Sequence, residues 1–372
     1  MNIYDKLGVK RLINGLATLT MYGGSIMPLE VLDAMREASQ YFVTIPDLHK
    51  AVGDRIAKLT NNEAAFVCDG AAAGMVMAAA AIIAGDDEDR RMQLPDSEGM
   101  KNEVLVCKTF NPRYSHAIRI GGGKIIEYGS EDGASIEDLE AGFTDKTAAV
   151  FYFTNDDLKD KVPSVAQVAA AAHKRGVPVV VDAAAQIPPI ENLWRYTGDG
   201  ADIAIFSGGK GLRGPQASGL IVGKKEIVDV IATYACPAGG VGRPLKVGKE
   251  EIIGLMTAIE LAVSAGTEGM LKLYRGRVEY VLDVFKDDDA VTTDKTETTD
   301  VGKPFPTALI IPVEGKLKIT PEEIVQQLKD GDPAIYLGAR GGKISMNPQC
   351  LLDGEEKIIA AALKKIIDAN RI

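Results

Sequence analysis

Cysteine, histidine and tryptophan are scarce in this chain: 372 residues hold four, three and one of them. Cys68, Cys107, Cys236 and Cys350 lie far apart and form no C-x-x-C pair. A metal site is therefore not expected, and a reducing cytoplasmic setting is the natural assumption. No apolar run reaches the length of a membrane span. The most apolar stretch, Ala71 to Ala84, is short and alanine-rich, as a close-packed core helix would be. The opening residues Met1 to Gly8 carry no apolar signal-peptide core. Basic charge is also short, with 42 Lys and Arg against 52 Asp and Glu, a net charge of −10. Neutralising many phosphates needs a basic stripe, so a nucleic-acid surface is disfavoured. A small anionic substrate needs only a few local cations and stays allowed.

What the chain does have is an alternation of apolar strands and helices. Its length suggests two domains, or one large domain with a smaller companion. Residues 1–45 open as an irregular polar segment, with a helix from Leu29 to Val43 after Pro28, and are expected to line the site. Residues 46–247 read as a large α/β domain. A helix over Asp47 to Leu59 leads into strands at Ala64–Cys68, Glu103–Cys107, Lys124–Tyr128, Thr147–Phe153, Val177–Asp182, Ala201–Phe206 and Gly219–Gly223. Helices fall at Ala71–Ala84, Ser115–Ile120, Ser135–Gly142 and Val165–Arg175, and Asp86 to Asn102 is a charged surface excursion. Strands apolar along their whole length, alternating with helices, predict a mainly parallel sheet covered on both faces. Residues 248–372 read as a smaller C-terminal α+β domain, with long helices at Glu250–Ala265 and Met270–Phe285. The threonine- and aspartate-rich stretch from Asp287 to Asp300 is expected as an exposed strand or loop.

Three features of the large domain fit one cofactor. Cys68-Asp-Gly-Ala-Ala-Ala-Gly74 joins a strand to a helix with small residues only. Backbone N–H groups at such a helix start, with the helix dipole behind them, can cradle an anion. Close packing of helix on sheet would explain the same residues. The loop lacks the Walker lysine, so a P-loop NTPase fits poorly. Asp182 ends an apolar strand, where ligands of α/β sheets bind, and a buried carboxylate there needs a partner such as a cationic pyridinium or a helix start. Lys210, in Phe206-Ser-Gly-Gly-Lys-Gly-Leu-Arg-Gly-Pro-Gln216, follows one strand later. Gly208, Gly209 and Gly211 strip bulk from around it and permit positive φ, so the amine can be desolvated and its pKa lowered. The alternative is a glycine-rich surface loop that happens to carry a lysine. Together, a phosphate cradle, a strand-end aspartate and a later lysine are the handles of pyridoxal 5'-phosphate. Ser207 would join the cradle in holding the phosphate.

On these segments, with Ile13-Asn-Gly-Leu-Ala-Thr18, Gly23-Gly-Ser25 and Val181-Asp-Ala-Ala-Ala-Gln186, the chain resembles fold-type I pyridoxal-phosphate enzymes (the aspartate aminotransferase fold). Within them it is similar to the selenocysteine synthase-related branch, and there to the D-glucosaminate-6-phosphate ammonia-lyases. The resemblance runs over most of the chain and is most specific at Phe206 to Gln216. It implies a Schiff base on Lys210, a pyridinium partner at Asp182, and phosphate contacts at Gly70, Ala71, Ala72 and Ser207. The tRNA-binding N-terminal domain of selenocysteine synthase is not matched, and the acidic balance suits tRNA poorly.

Further candidates are Tyr114 or His116 for stacking on the cofactor ring, with His116 preferred, and Gln186 for the ring oxygen or a turn cap. Arg340 sits where this fold often places a carboxylate clamp, a task that suits the planar guanidinium fork. Arg213 and Arg243 could meet a substrate phosphate, and Thr18, Thr20, Gly23 and Gly24 could line the substrate site. The expected activity is an ammonia-lyase that removes α-hydrogen and β-hydroxyl from a β-hydroxy amino acid such as D-glucosaminate 6-phosphate. The products would be a 2-keto-3-deoxy acid and ammonia. The alternatives are a selenocysteine synthase-related transferase, another pyridoxal-phosphate lyase or aminotransferase, and a non-catalytic binding protein that keeps the fold. The family further implies a homodimer or an assembly of dimers acting on small molecules, with neither nucleic acid nor membrane as partner.

Overall fold

The computed structural model describes residues 2–298 and 305–372, and the chain forms two compact units. The larger, 26–266, is built on a seven-stranded sheet. The first strand of the chain, β1 (Leu12–Asn14), belongs to the smaller unit; the sheet strands are β2 (Ala64–Cys68), β3 (Glu103–Cys107), β4 (Lys124–Tyr128), β5 (Thr147–Phe153), β6 (Val179–Asp182), β7 (Ile203–Ser207) and β8 (Gly219–Gly223). Their order is β2-β8-β7-β6-β5-β3-β4, and only β8 runs antiparallel to its neighbours. Val179, Val180 and Val181 of β6 and Ile203 and Ile205 of β7 are fully buried, which is why those strands read as unbroken apolar runs. The helix Ala71–Ala84 lies against the sheet. Gly74 shows how tightly: an added Cβ would stand 3.0 Å from Ile205 and 3.3 Å from Cys68 Sγ.

The expected domain limits fall elsewhere in the structure. The helix Leu29–Ala38 belongs to the large unit, as does the start of the segment Lys249–Phe285: Lys249 Nζ donates to Ala38 O at 2.8 Å, and Arg55 pairs with Glu260. That first helix stops at Ala38 rather than Val43, where Ser39 Oγ turns back to Arg36 O at 2.7 Å. By length and composition alone, Lys249–Phe285 could cross a membrane, contrary to the absence of span-length segments expected above. Gly266, at φ 64° and ψ 171°, breaks it into two helices and marks the end of the large unit. The helices Glu88–Gln93, Asn192–Gly198 and Lys225–Tyr234 were not anticipated.

The smaller unit combines residues 1–25 with 267–372. Its four-stranded antiparallel sheet is β12-β13-β10-β9, with β9 (Val291–Thr296), β10 (Thr307–Pro312), β12 (Gly338–Arg340) and β13 (Lys343–Met346). Strand β11 (Ala334–Tyr336) instead pairs in parallel with β1. The expected strand or loop at Asp287–Asp300 is strand at β9, and residues 299 and 300 lie outside the described residues. Gly341 and Gly342, both at positive φ, make the two-residue turn between β12 and β13.

Candidate active site

Asp182, Ser207 and Cys68 end three strands of the large sheet, and the register sets what stands beside what. Asp182 pairs across β6–β7 with Ile205 and across β5–β6 with Phe153. Gly219 pairs with Cys68 on one side and Ser207 on the other. A Cβ on Gly219 would stand 2.5 Å from the carbonyl carbon of Gly70 and 2.8 Å from Ala71 N. The absence of that carbon lets the start of the helix Ala71–Ala84 settle against Gly219, whose partner on β7 is Ser207. Gly70 caps this helix at φ 100°, a conformation open mainly to glycine. The first N–H groups of a helix lack intrahelical partners, so Ala71 and the exposed Ala72 offer donors at the positive end of a dipole. Such a helix start can take an anion.

Asp182 is 5% exposed, and its Oδ1 accepts from Ala184 N at 3.0 Å. Burial pushes its pKa up to about 6, against the pull of that N–H and of the Lys210 charge. Lys210 is half-buried, and its pKa is lowered by burial, with Asp182 opposing. The two side chains thus act on each other electrostatically, and neither is fully compensated by the protein. A carboxylate in this state favours a cation beside it. A lysine in this state is more readily neutral, and so more nucleophilic and more basic toward carbon.

The glycines around Lys210 act differently from the expectation. Gly208, Gly209 and Gly211 do not take positive φ; a Cβ on them would collide with Ser218 Oγ, Gln216 and Ile187 O respectively. They are needed for close approach. The left-handed residue is Arg213, at φ 57°, with Nε donating to Ile26 O at 3.1 Å. Non-glycine residues hold this conformation where the surroundings impose it.

Gln186 is 2% exposed; its Nε2 reaches Thr154 O at 3.4 Å, and its Oε1 is buried without a partner among the described residues. A buried orphan atom this near Asp182 in the chain fits a site shaped for a bound group. His116 begins the helix His116–Ile120 and is exposed. Tyr114 is also exposed, at 51%, but partial desolvation and then the Asp182 charge raise its pKa to about 12, and its ring meets Phe153 edge-on at 5.8 Å. Two residues were missed. Thr154 Oγ1 donates to Asp182 O at 2.9 Å, and its position just past a strand end was the available signal. Asp69, inside the cradle loop, has its pKa raised by burial and by Glu251. Arg243 donates from Nη1 to Cys236 Sγ at 3.2 Å. Thr18, buried, and Arg340, exposed at the end of β12, both belong to the smaller unit.

Comparison with known proteins gives this arrangement a family. Residues 37–247 match the Cys/Met metabolism PLP-dependent enzyme family. The chain is 32% identical to D-glucosaminate-6-phosphate ammonia lyase of Salmonella typhimurium, over 99% of this chain and 98% of that one. It is 30% identical to a 5'-C-glycyluridine monooxygenase-decarboxylase of Streptomyces, over 98% of this chain and 92% of the other. An L-seryl-tRNA(Sec) selenium transferase of Solidesulfovibrio magneticus is more distant, at 23% over 95% of this chain and 81% of its own. Among solved structures, a D-glucosaminate-6-phosphate ammonia-lyase superposes with a TM-score of 0.88 at 29% identity, covering 100% of this chain and 99% of that one. With a mainly parallel sheet, a cradle, a buried acid and a desolvated lysine in the matched region, the chain belongs to the fold-type I PLP-dependent enzymes of the Cys/Met metabolism family.

Proposed function

We propose that the protein is an ammonia-lyase that takes a β-hydroxy amino acid, D-glucosaminate 6-phosphate, to 2-keto-3-deoxygluconate 6-phosphate and ammonia. The observation that carries this reading is Lys210, half-buried with its pKa lowered, in the electrostatic field of the buried acid Asp182. The full-length likeness to a lyase selects elimination among the reactions such a pair can run. Bound pyridoxal phosphate would supply an electron-accepting ring that acidifies the α C–H of an amino acid joined to it. Lys210 Nζ is the base that takes the α-proton. Asp182 offers its negative charge to the protonated ring nitrogen, which also relieves its own desolvation. Gly70, Ala71, Ala72 and Ser207 hold the phosphate through N–H and O–H donors, and Tyr114, with His116 as the second candidate, packs on the ring. Gln186, through its unpartnered Oε1, is the candidate contact for the ring oxygen.

Loss of the α-hydrogen and the β-hydroxyl gives an enamine; hydrolysis of its imine tautomer returns the water and releases ammonia. No oxidant or reductant is needed. Arg213, Arg340 and Thr18 are the proposed contacts for the substrate's phosphate, carboxylate and hydroxyls, with residues 1–45 lining the site. The protein works as a cytoplasmic homodimer or assembly of dimers in amino-sugar acid metabolism, with neither nucleic acid nor membrane as partner.

The test is ammonia and keto-acid release from D-glucosaminate 6-phosphate with no keto-acid co-substrate, in wild type and in Lys210→Ala. A requirement for a keto-acid acceptor would assign the site to transamination instead. The relative at 30% identity whose name denotes monooxygenation and decarboxylation favours a second reading, a different pyridoxal-phosphate activity on another amino acid. Under that reading, turnover consumes oxygen and releases carbon dioxide, whereas the lyase needs no oxygen and releases a keto acid and ammonia.

A further inference from the structure

The large unit carries an apolar cavity and an apolar projection that the chemistry above does not use. The cavity, of about 500 Å³, has Ile45 and Pro46 on one helix, Phe66 on the edge strand β2, and Val228, Ala232 and Pro237 on and beyond the helix Lys225–Tyr234 among its walls. Its lining includes neither Lys210 nor Asp182. Inside it, His49 stacks on Phe66 with ring centroids 4.5 Å apart. Burial lowers the His49 pKa to about 4, so the imidazole is neutral at ordinary pH, and its Nδ1 is buried with no hydrogen-bond partner among the described residues. The ion pairs Lys50–Asp54 and Lys225–Asp229 stand among the lining residues and leave little net charge there.

The projection is the link between the helices Leu29–Ala38 and Ile45–Leu59. Tyr41, Phe42 and Val43 are 63%, 103% and 51% exposed, so Phe42 gets no cover from its own chain. Only three residue steps separate Phe42 from Ile45 on the cavity wall, at most about 11 Å of chain. A side chain and a hollow this close on one surface suit a two-fold axis between them, because one rotation then makes both contacts at once.

We propose that this face is an interface between two copies of the chain, with Phe42 of each seated in the cavity of the other. The incoming Tyr41 hydroxyl is the group able to satisfy His49 Nδ1. Each aromatic side chain buries about 150–250 Å². Tyr41 and Phe42 from both copies, with the walls they cover, therefore reach the roughly 1,000 Å² that a specific interface needs. A small apolar ligand in the cavity would leave Phe42 bare, which is why a second copy is the better occupant. The inference deepens the homo-oligomer part of the proposed function, and its test reads association rather than turnover.

Sedimentation of wild type, Phe42→Glu and Ala232→Trp measures it. Phe42 is uncovered and Ala232 is exposed, so both variants keep the wild-type circular dichroism. Each variant alone weakens association at least about 30-fold, the size of a hot-spot loss. An equimolar mixture recovers part of it, because the intact Phe42 of one meets the intact cavity of the other. Anilinonaphthalene sulfonate binds Phe42→Glu and not assembled wild type. Unchanged association in Phe42→Glu, or equal dye binding by both, overturns the proposal and leaves the lyase reading standing. A monomeric wild type overturns the homo-oligomer reading as well.

Discussion

Two aspartates sit at opposite ends of the β6–β7 pair, and the protein treats them differently. Asp202, just before β7, is 2% exposed and takes Lys224 Nζ at 2.6 Å, His173 Nε2 at 2.8 Å and Val179 N at 2.7 Å. Its pKa is lowered: burial alone would raise it, but those three partners together outweigh burial. Asp182, at the other end, accepts from Ala184 N and feels the Lys210 charge, and burial wins. Both carboxylates are out of water. Asp202 is supplied with partners from within the fold, and Asp182 is left wanting a cation. Incomplete compensation of a buried charge, more than burial itself, is what singles out Asp182 as the candidate for function.

The sharpest way to break that contrast is at Lys210. Lys210→Ala should lower ammonia release by about 10²–10⁴-fold, the range for losing a general base, and remove the borohydride-fixed cofactor adduct. A variant that keeps wild-type turnover would remove the lysine from the mechanism.

Next come the two aspartates as a pair. Asp182→Asn keeps an acceptor for Ala184 N and discards a charge whose pKa moves from 3.8 to about 6, so the cofactor-free protein at pH 8 should gain up to about 3 kcal/mol. The same variant should lose activity with added cofactor. Asp202→Asn should lose about 1–3 kcal/mol, discounted because Lys224 is partly exposed. Thermal melts of both read the sign, and melting shifts in the same direction would erase the distinction.

The pH dependence sharpens it further. Asp182 has a raised folded pKa, so its contribution favours folding at low pH and is lost as pH rises through about 6. Asp202 has a lowered one, so its contribution is present above the unfolded value of 3.8 and is lost as pH falls through the folded value. Difference curves of melting temperature against pH, each variant against wild type, should slope in opposite directions. The smallest effect is expected at Gly219→Ala. The added carbon pushes Gly70 and Ala71 away from β8 at a cost of about 1–3 kcal/mol, felt as weaker cofactor binding and measured by titration.

Much of the large unit was legible because its strands are apolar along their whole length and its helices carry small or periodic residues. Ala64–Cys68, Ala71–Ala84, Thr147–Phe153 and Gly219–Gly223 have the expected limits. Asp182 and Lys210 were legible as strand-end and glycine-flanked residues. What local pattern could not carry was pairing at long range. Leu12–Asn14 belongs with Ala334–Tyr336, and no property of either stretch announces the other. The helix Lys225–Tyr234 went unseen because Ile227, Val228, Val230 and Ile231 favour strands when taken singly, and only packing makes them helical. Tyr114 could not be separated from His116, since both lie on the same short polar run and only the fold shows which one feels the Asp182 charge.

That pairing of β1 with β11 has a consequence for how the protein is made. The residue that Leu12 must find, Ala334, leaves the ribosome only after most of the chain has been synthesised. The large unit is one continuous stretch, 26–266, and has all its parts well before then. Through translation the opening twenty-five residues wait without their sheet neighbour. Nascent-chain proteolysis should therefore find them open to cleavage long after the seven-stranded sheet has become resistant.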